Sequence, residues 1–442
     1  MPDKPRRDAL EAFLRFVIAA HQRVLLIVPD SGDDHRASDP EARIRIDHGA
    51  HNIDVTDLSL SIEQAEPFDY IVLGDALASC PDVGSFLHRL RQLCAPHSRI
   101  IASSRPGGLA ALWRWLRSPR IDRGDQSRNL LREGEMRSIM AACGFEATGW
   151  RRLSRRAGNY GFTIYRPIPA AAGDDGDSLT ICLTCRNEKG NIEPIIHAIP
   201  RVTERQEIVI VEGHSDDGTR AEIERVMASC PDKNIRLISQ PGIGQGDAIR
   251  EGFSRACGKF IILLEADMTS PPDDIIPVYN SLRAGFGEFI GGTRFVYPMA
   301  RGSMPLLNRF GNQVFARYFR WLFGQHVSDV LCGIKGISKV HFDKIAARWG
   351  QWGVEDPFGD FELLFGAVQS GLKVGEIPVH YRPRVCGESK TRAFRHGAIL
   401  ARLAVRAFVV FRRREIDSGE EKSRAISSLG RRRRIRSRRR LL

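Results

Sequence analysis

The sequence predicts two α/β domains in tandem, followed by a basic tail. Three observations carry that expectation. Strand-like and helix-like patterns alternate over residues 23–168. A stretch without hydrophobic period, "PIPAAAGDDGDS" (167–178), interrupts them, and the alternation then resumes and runs to about residue 411. The expected boundaries are a first domain at 1–166, a linker at 167–177, a second domain at 178–411 and a tail at 412–442.

In the first domain "RVLLIV" and "PFDYIVLGDAL" read as strands, "VGSFLHRLRQLC" as an amphipathic helix and "SRIIASS" as a third strand. "EGEMRSIMAACGFEATGW" then reads as helix, glycine stop and strand. In the second domain "TICLTC", "EIVIVEG" and "KFIILLEAD" read as buried parallel strands. "QPGIGQGDAIREGFSRAC" reads as a glycine-rich loop that opens a helix.

Composition places the chain among soluble globular proteins. Its 442 residues suffice for two or three domains, with 42% apolar and 27% charged residues. The net charge of +13 comes largely from "RRRRIRSRRR" (431–440), which holds eight arginines and no acid. Such a run is usually a solvated tail, with contact to anionic lipid or nucleic acid as the other readings. Nucleic acid is not expected, because no basic patch is interleaved with aromatic residues for base stacking.

The nine cysteines are scattered. The close pair Cys182 and Cys185 lies three apart in a strand, so the two face opposite sides and do not start a zinc site. All nine are expected as reduced thiols in a cytoplasmic protein. No run reaches the roughly 18 uncharged apolar residues that a membrane span needs. "AILARLAVRAFVVF", interrupted by Arg402 and Arg406, reads instead as an amphipathic helix suited to a membrane surface.

Chemistry concentrates where strands end. Ligands bind outside the carboxyl ends of the strands of an open parallel sheet. Arg186, Asn187 and Glu188 follow the first strand of the second domain, and Glu212, Asp216, Asp217 and Gly218 follow the next. Glu265 and Asp267 close "KFIILLEAD". Paired carboxylates with nearby glycines suit a nucleotide diphosphate held through Mg²⁺ or Mn²⁺. Taken singly each signal is weak. An acid-x-acid at a strand end is more often a solvated helix start, and Pro271 and Pro272 suit one. "GIGQG" invites a dinucleotide reading, but that loop should follow the first strand, which here is followed by "RNEKGNI".

In order and spacing, these stretches resemble glycosyltransferase family 2, the inverting GT-A enzymes that use nucleotide-sugars, over about residues 178–411. The branch nearest in pattern contains dolichyl-phosphate mannose synthases and polyprenyl-phosphate sugar transferases. The resemblance implies a donor site at Thr184, Arg186, Glu188, Glu212, Gly213, Gly246, Asp247, Glu265, Ala266 and Asp267. Glu265-Ala266-Asp267 stands where the family has Asp-x-Asp, with Asp267 as principal metal ligand and Glu265 beside it. Glu212 stands where an Asp is usual.

"GGTRFVYP" implies a phosphate role for Arg294. "SDVLCGIKGISK" supplies Asp329 and Lys335, "GDFELLFGA" supplies Asp360 on the acceptor side, and "GESKTRAFRHG" supplies Lys390 near the phosphates. Asp267 and Asp360 are the expected catalytic residues, Asp360 as base if the acceptor is a hydroxyl. The implied partners are a UDP- or GDP-sugar and a lipid phosphate, at the cytoplasmic face of the membrane with peripheral contact through the basic C-terminus. A glycan or other hydroxyl acceptor, or a decayed transferase with a scaffold role, are the alternatives.

The first domain resembles class I methyltransferases over "FDYIVLGDALASCPDVGSFLHRLRQLCAPHSRIIASS" and "GEMRSIMAACGFE". That resemblance implies a Rossmann-like sheet. The glycine-rich loop after the first strand is replaced by "VLLIVPDSGDD", so S-adenosylmethionine is not expected.

Overall fold

The structure is a computed structural model and describes residues 24–28, 51–54, 68–74, 76–104, 129, 131–152, 161–169, 176–299, 303–384 and 395–411. Lys390, the arginine run and the loop after the first strand lie outside the described residues.

The first sheet is built from β1 (Val24–Val28), β2 (His51–Asp54), β3 (Phe68–Gly74), β4 (Cys94–Ser104), β5 (Phe145–Arg152) and β6 (Gly161–Pro167). Between them lie α1 (Ala76–Ser79), α2 (Val83–Gln92) and α3 (Glu133–Ala142). The strand order is β2-β1-β3-β4-β6-β5, parallel through β4, with β6 antiparallel to both neighbours. Helix α2 forms because Asp82 caps it, its carboxylate accepting from Ser85 N–H, and because Phe86, Leu87 and Leu90 share one buried face.

The second sheet takes its strands from β7 (Ser178–Cys185), β8 (Arg205–Glu212), β9 (Ile235–Ser239), β10 (Phe260–Glu265), β11 (Phe289–Thr293), β12 (Lys335–Ser338) and β13 (Val374–Pro378). Its helices are α4 (Lys189–Ala198), α5 (Thr219–Ser229), α6 (Gln245–Arg255), α7 (Ile275–Arg283), α8 (Leu306–Phe323), α9 (Lys339–Ala346), α10 (Phe361–Gln369) and α11 (395–411). The order is β13-β11-β12-β10-β7-β8-β9, with β12 antiparallel to β10 and β11. Continuous Val/Ile/Leu runs are what strands covered on both faces require, and β10 is buried from Phe260 to Leu264. Cys182 and Cys185 fall in different core layers, on opposite faces of this sheet. Among the described residues no cysteine is in a disulfide.

The two sheets share one continuous apolar layer, in which Phe86, Met136 and Phe145 join Ile181, Ile262 and Val278. Helix α2 packs on α7, and α3 on β13. Two glycines permit this approach. Gly144 ends α3 at φ +88, and a Cβ there would fall 2.2 Å from the Phe286 ring. A Cβ at Gly84 would fall 2.8 Å from Pro277.

Candidate functional site

Parallel register brings the strand ends to one edge. Glu265 of β10 lies beside Thr184 of β7, and Cys185 of β7 lies beside Glu212 of β8. Each strand then leaves the sheet through a non-glycine residue in the left-handed region: Asn187 (φ 55), His214 (φ 57) and Met268 (φ 59). Such residues each cost on the order of 1 kcal/mol or more and cluster at functional sites. The Asn187 turn is stabilised by reciprocal bonds with Asp216 and by Ser215 Oγ accepting from its N–H.

Above these turns lies a cleft of about 1460 Å³. Thr184, Arg186, Glu188, Gly213, Glu265, Ala266, Asp267, Arg294 and Asp360 all line it. Asp267 is buried and fixed. Its Oδ1 accepts from Thr269 N–H (3.0 Å) and Thr269 Oγ1 (2.8 Å), and its Oδ2 faces the Arg384 guanidinium at 2.8 Å. Arg384 also reaches Glu188 at 3.7 Å, so one cation bridges the ends of β7 and β10.

Glu265 accepts from the Gln245 side-chain amide (3.0 Å), whose own Oε1 is buried without a hydrogen-bond partner. Burial, then the neighbouring carboxylates of Asp267 and Asp360, push the Glu265 carboxyl up to about 7. Buried carboxylates at such close quarters call for a cation. Among the described residues no cluster of three or more protein ligands exists. Two carboxylates with open positions nevertheless fit Mg²⁺ or Mn²⁺, ions that keep several non-protein ligands and are completed by substrate phosphates. Arg384 on Asp267 is the positive charge that stands there now.

Other expected residues are brought close to the cleft but spend their charge on the scaffold. Arg294 is buried against Asp329, with Nε at 2.6 Å and Nη2 at 2.8 Å from its two oxygens. Burial would raise the Asp329 carboxyl, but Arg294 and Asn312 hold it below the usual range. Arg294 lies over the Tyr381 ring at 4.9 Å. Glu212 turns its carboxylate onto Ser215 N–H (2.6 Å), bracing the turn that sets Gly213 against the cleft. Asp247 accepts from Gly242 N–H (2.7 Å) and pairs with Arg250, closing the glycine loop on itself, while Gly246 backs onto Gly359. Asp360 forms a buried ion pair with Lys335, whose Nζ also donates to the Cys332 carbonyl. Glu362, two residues on, accepts from Gly350 N–H away from the cleft.

Residues 180–345 match the family model described as Glycosyl transferase family 2. This segment is a glycosyl transferase family 2 domain. Its curated relatives include Glycosyltransferase AglJ of Haloferax volcanii, 28% identical over 195 residues, which are 44% of this chain and 60% of AglJ. Another is a dolichyl-phosphate hexose transferase of the same organism, 29% identical over 231 residues, 52% of this chain and 93% of that protein. Among solved structures, glucosyl-3-phosphoglycerate synthase of Mycobacterium tuberculosis with UDP aligns over 53% of this chain and 80% of its own, at TM-score 0.39 and 14% identity.

Arg384, Gln245 and the Lys335–Asp360 pairing are the site features that reading the sequence missed. The signal for Arg384 is its place in "HYRPR", immediately after an edge strand that leads to the cleft.

Proposed function

We propose that the family 2 domain, with boundaries near 178 and 411, transfers a sugar with inversion from a nucleotide diphosphate sugar, and that its acceptor is a polyprenyl-type lipid phosphate. The observation that carries this reading is the pair Glu265 and Asp267 at the end of β10, facing a cleft in a family 2 domain. Both carboxylates would hold a divalent cation, which supplies Lewis-acid stabilisation of charge on the departing diphosphate. Thr269 fixes the Asp267 rotamer in advance, and Arg384 adds a guanidinium able to take a phosphate once substrate draws it from Asp267. A phosphate acceptor is already nucleophilic and needs no base. A hydroxyl acceptor would need one, and Asp360 lines the cleft for that role. The dolichyl-phosphate hexose transferase relative favours the lipid phosphate. Incubation with UDP- or GDP-hexose, Mn²⁺ and a polyprenyl phosphate should yield a glycolipid of inverted anomeric configuration. Transfer to soluble glycans but not to the lipid would replace this acceptor with a hydroxyl.

The surface around the cleft mouth fits such an acceptor. Leu307, Phe310, Val314 and Trp321 form an exposed stripe along α8, and Val405, Phe408 and Val409 form another on α11. Trp321 and Phe408 stack at 6.1 Å, joining the two stripes. Every charged residue on these helices is an arginine, and Leu307, Arg395 and Leu400 line the cleft between them. Among the described residues no helix is long and apolar enough to cross a membrane. We therefore place this face on an anionic bilayer at the cytoplasmic side, where the acceptor phosphate would enter between the helices. Trp321→Ser or Phe408→Ser should each weaken binding to phosphatidylglycerol vesicles about tenfold, the effect of losing one large apolar contact. Cosedimentation measures this, and wild-type affinity in both variants would remove the membrane assignment.

A further inference from the structure

The segment bearing Arg384 leaves β13 and crosses the cleft, and its backbone is held at three residues. Val379 N–H donates to the Thr293 carbonyl (3.0 Å), His380 N–H to Asp274 Oδ2 (2.8 Å) and Arg382 N–H to the Thr269 carbonyl (2.8 Å). At His380 the first domain joins in. The ring Nδ1 faces Asp274 Oδ1 at 2.9 Å and Nε2 faces the Pro81 carbonyl at 2.9 Å. The ring is stacked on Tyr297, with centroids 4.1 Å apart and 10° between planes. Tyr297 Oη in turn accepts from Val83 N–H at 2.8 Å. Val83 opens α2, so this N–H has no partner within its own helix. A backbone carbonyl only accepts, so Nε2 carries a proton. The carboxylate at Nδ1 favours a second one, and the imidazolium satisfies both neighbours.

We infer that His380 is a positioning residue and that the first domain, through Pro81 and Val83, holds the 379–384 segment so that Arg384 stands over Asp267. The catalytic consequence rests on the transferase reading; the clasp itself does not.

The clasp carries a pH dependence whose sign is fixed. Burial works against the charged ring, but the hydrogen bond and charge of Asp274 hold the His380 pKa above the usual imidazole value. The groups facing the clasp are Asp274, raised by burial and drawn back down by His380, and the Tyr297 phenol, raised by burial. From the first domain come Asp82 and the Cys80 thiol, the latter pushed up to about 12 by burial. A folded pKa raised above the ordinary value of about 6.5 means that the clasp is complete below that pH. It weakens as pH rises through the folded value.

Hydrogen exchange of residues 379–384 in the full-length protein, corrected for the intrinsic pH dependence of exchange, tests this alongside transfer assays from pH 6 to 9. Wild-type protection should fall with rising pH. His380→Gln should lower protection about tenfold at pH 6, the loss of one net hydrogen bond, and abolish the pH response. It should also lower kcat more than it changes donor KM. Val83→Pro removes the N–H and exchanges one buried apolar side chain for another of similar size, at a helix position that tolerates proline, and should loosen the same segment from the other domain. If His380→Gln fails to fold, the paired variant His380→Gln/Asp274→Asn leaves no unpaired buried carboxylate and answers the same question. Protection unchanged in both His380→Gln, or its paired form, and Val83→Pro would overturn the clasp, whatever the activity. Altered protection with no transfer by the wild type would uphold the clasp and sink the transferase reading instead.

Discussion

Asp267→Asn is expected to lower nucleotide-sugar turnover by about 10²–10³-fold, the scale for removing one preorganised electrostatic group, without unfolding the protein. The asparagine oxygen can still accept from Thr269 N–H and Oγ1, so the turn after β10 keeps its internal bonds. What is lost is the charge. A divalent cation would then be left with Glu265, whose carboxyl is raised first of all by its burial. Arg384 would lose its closest partner and keep only the longer contact to Glu188. Steady-state kinetics with a thermal melt of the same sample check this expectation. Near-wild-type turnover in a folded Asp267→Asn protein would remove Asp267 from the chemistry.

Lys335→Met should produce the largest loss of stability, about 3–5 kcal/mol, because it strands a buried carboxylate. Lys335 is 4% exposed and Asp360 6%. The ammonium is the ion-pair partner of Asp360 and also bonds the Cys332 carbonyl. Replacing both members, Lys335→Met with Asp360→Leu, should recover most of that stability, since a buried ion pair is often no better than an apolar pair of similar volume. Urea unfolding of the three proteins measures the coupling. The double variant also separates the two roles of Asp360. Transfer to a lipid phosphate should survive in it, whereas transfer to a hydroxyl acceptor, which needs a base, should not.

What the sequence made legible follows local physics. β7, β8 and β10 declare themselves because strands covered on both faces need unbroken apolar runs, and the carboxylates that end such runs stand out against them. Gly144 marks the end of α3 because a helix commonly stops on a residue in the left-handed region. Residues with tertiary partners were harder to read. Glu212 and Asp247 sit among donor-site motifs, yet each is occupied by a backbone N–H a few residues away. Arg294 carries the charge expected near a phosphate, but Asp329, 35 residues on, takes both ends of its guanidinium. The clasp joins residues 80–83 to 274, 297 and 380, and no hydrophobic period encodes contacts at such separations. The substitution of Glu for Asp at 265 was visible. Its consequence, a carboxyl raised first by burial and then by its neighbours, required their positions.

The most direct test of the central claim, a live nucleotide-sugar site built on Asp267, is calorimetric titration of UDP and GDP into the full-length protein with and without Mn²⁺. One nucleotide should bind only when the metal is present, and Asp267→Ala should abolish that binding. Failure of both nucleotides to bind with Mn²⁺ or Mg²⁺ would contradict the claim and leave a family 2 fold serving as a scaffold.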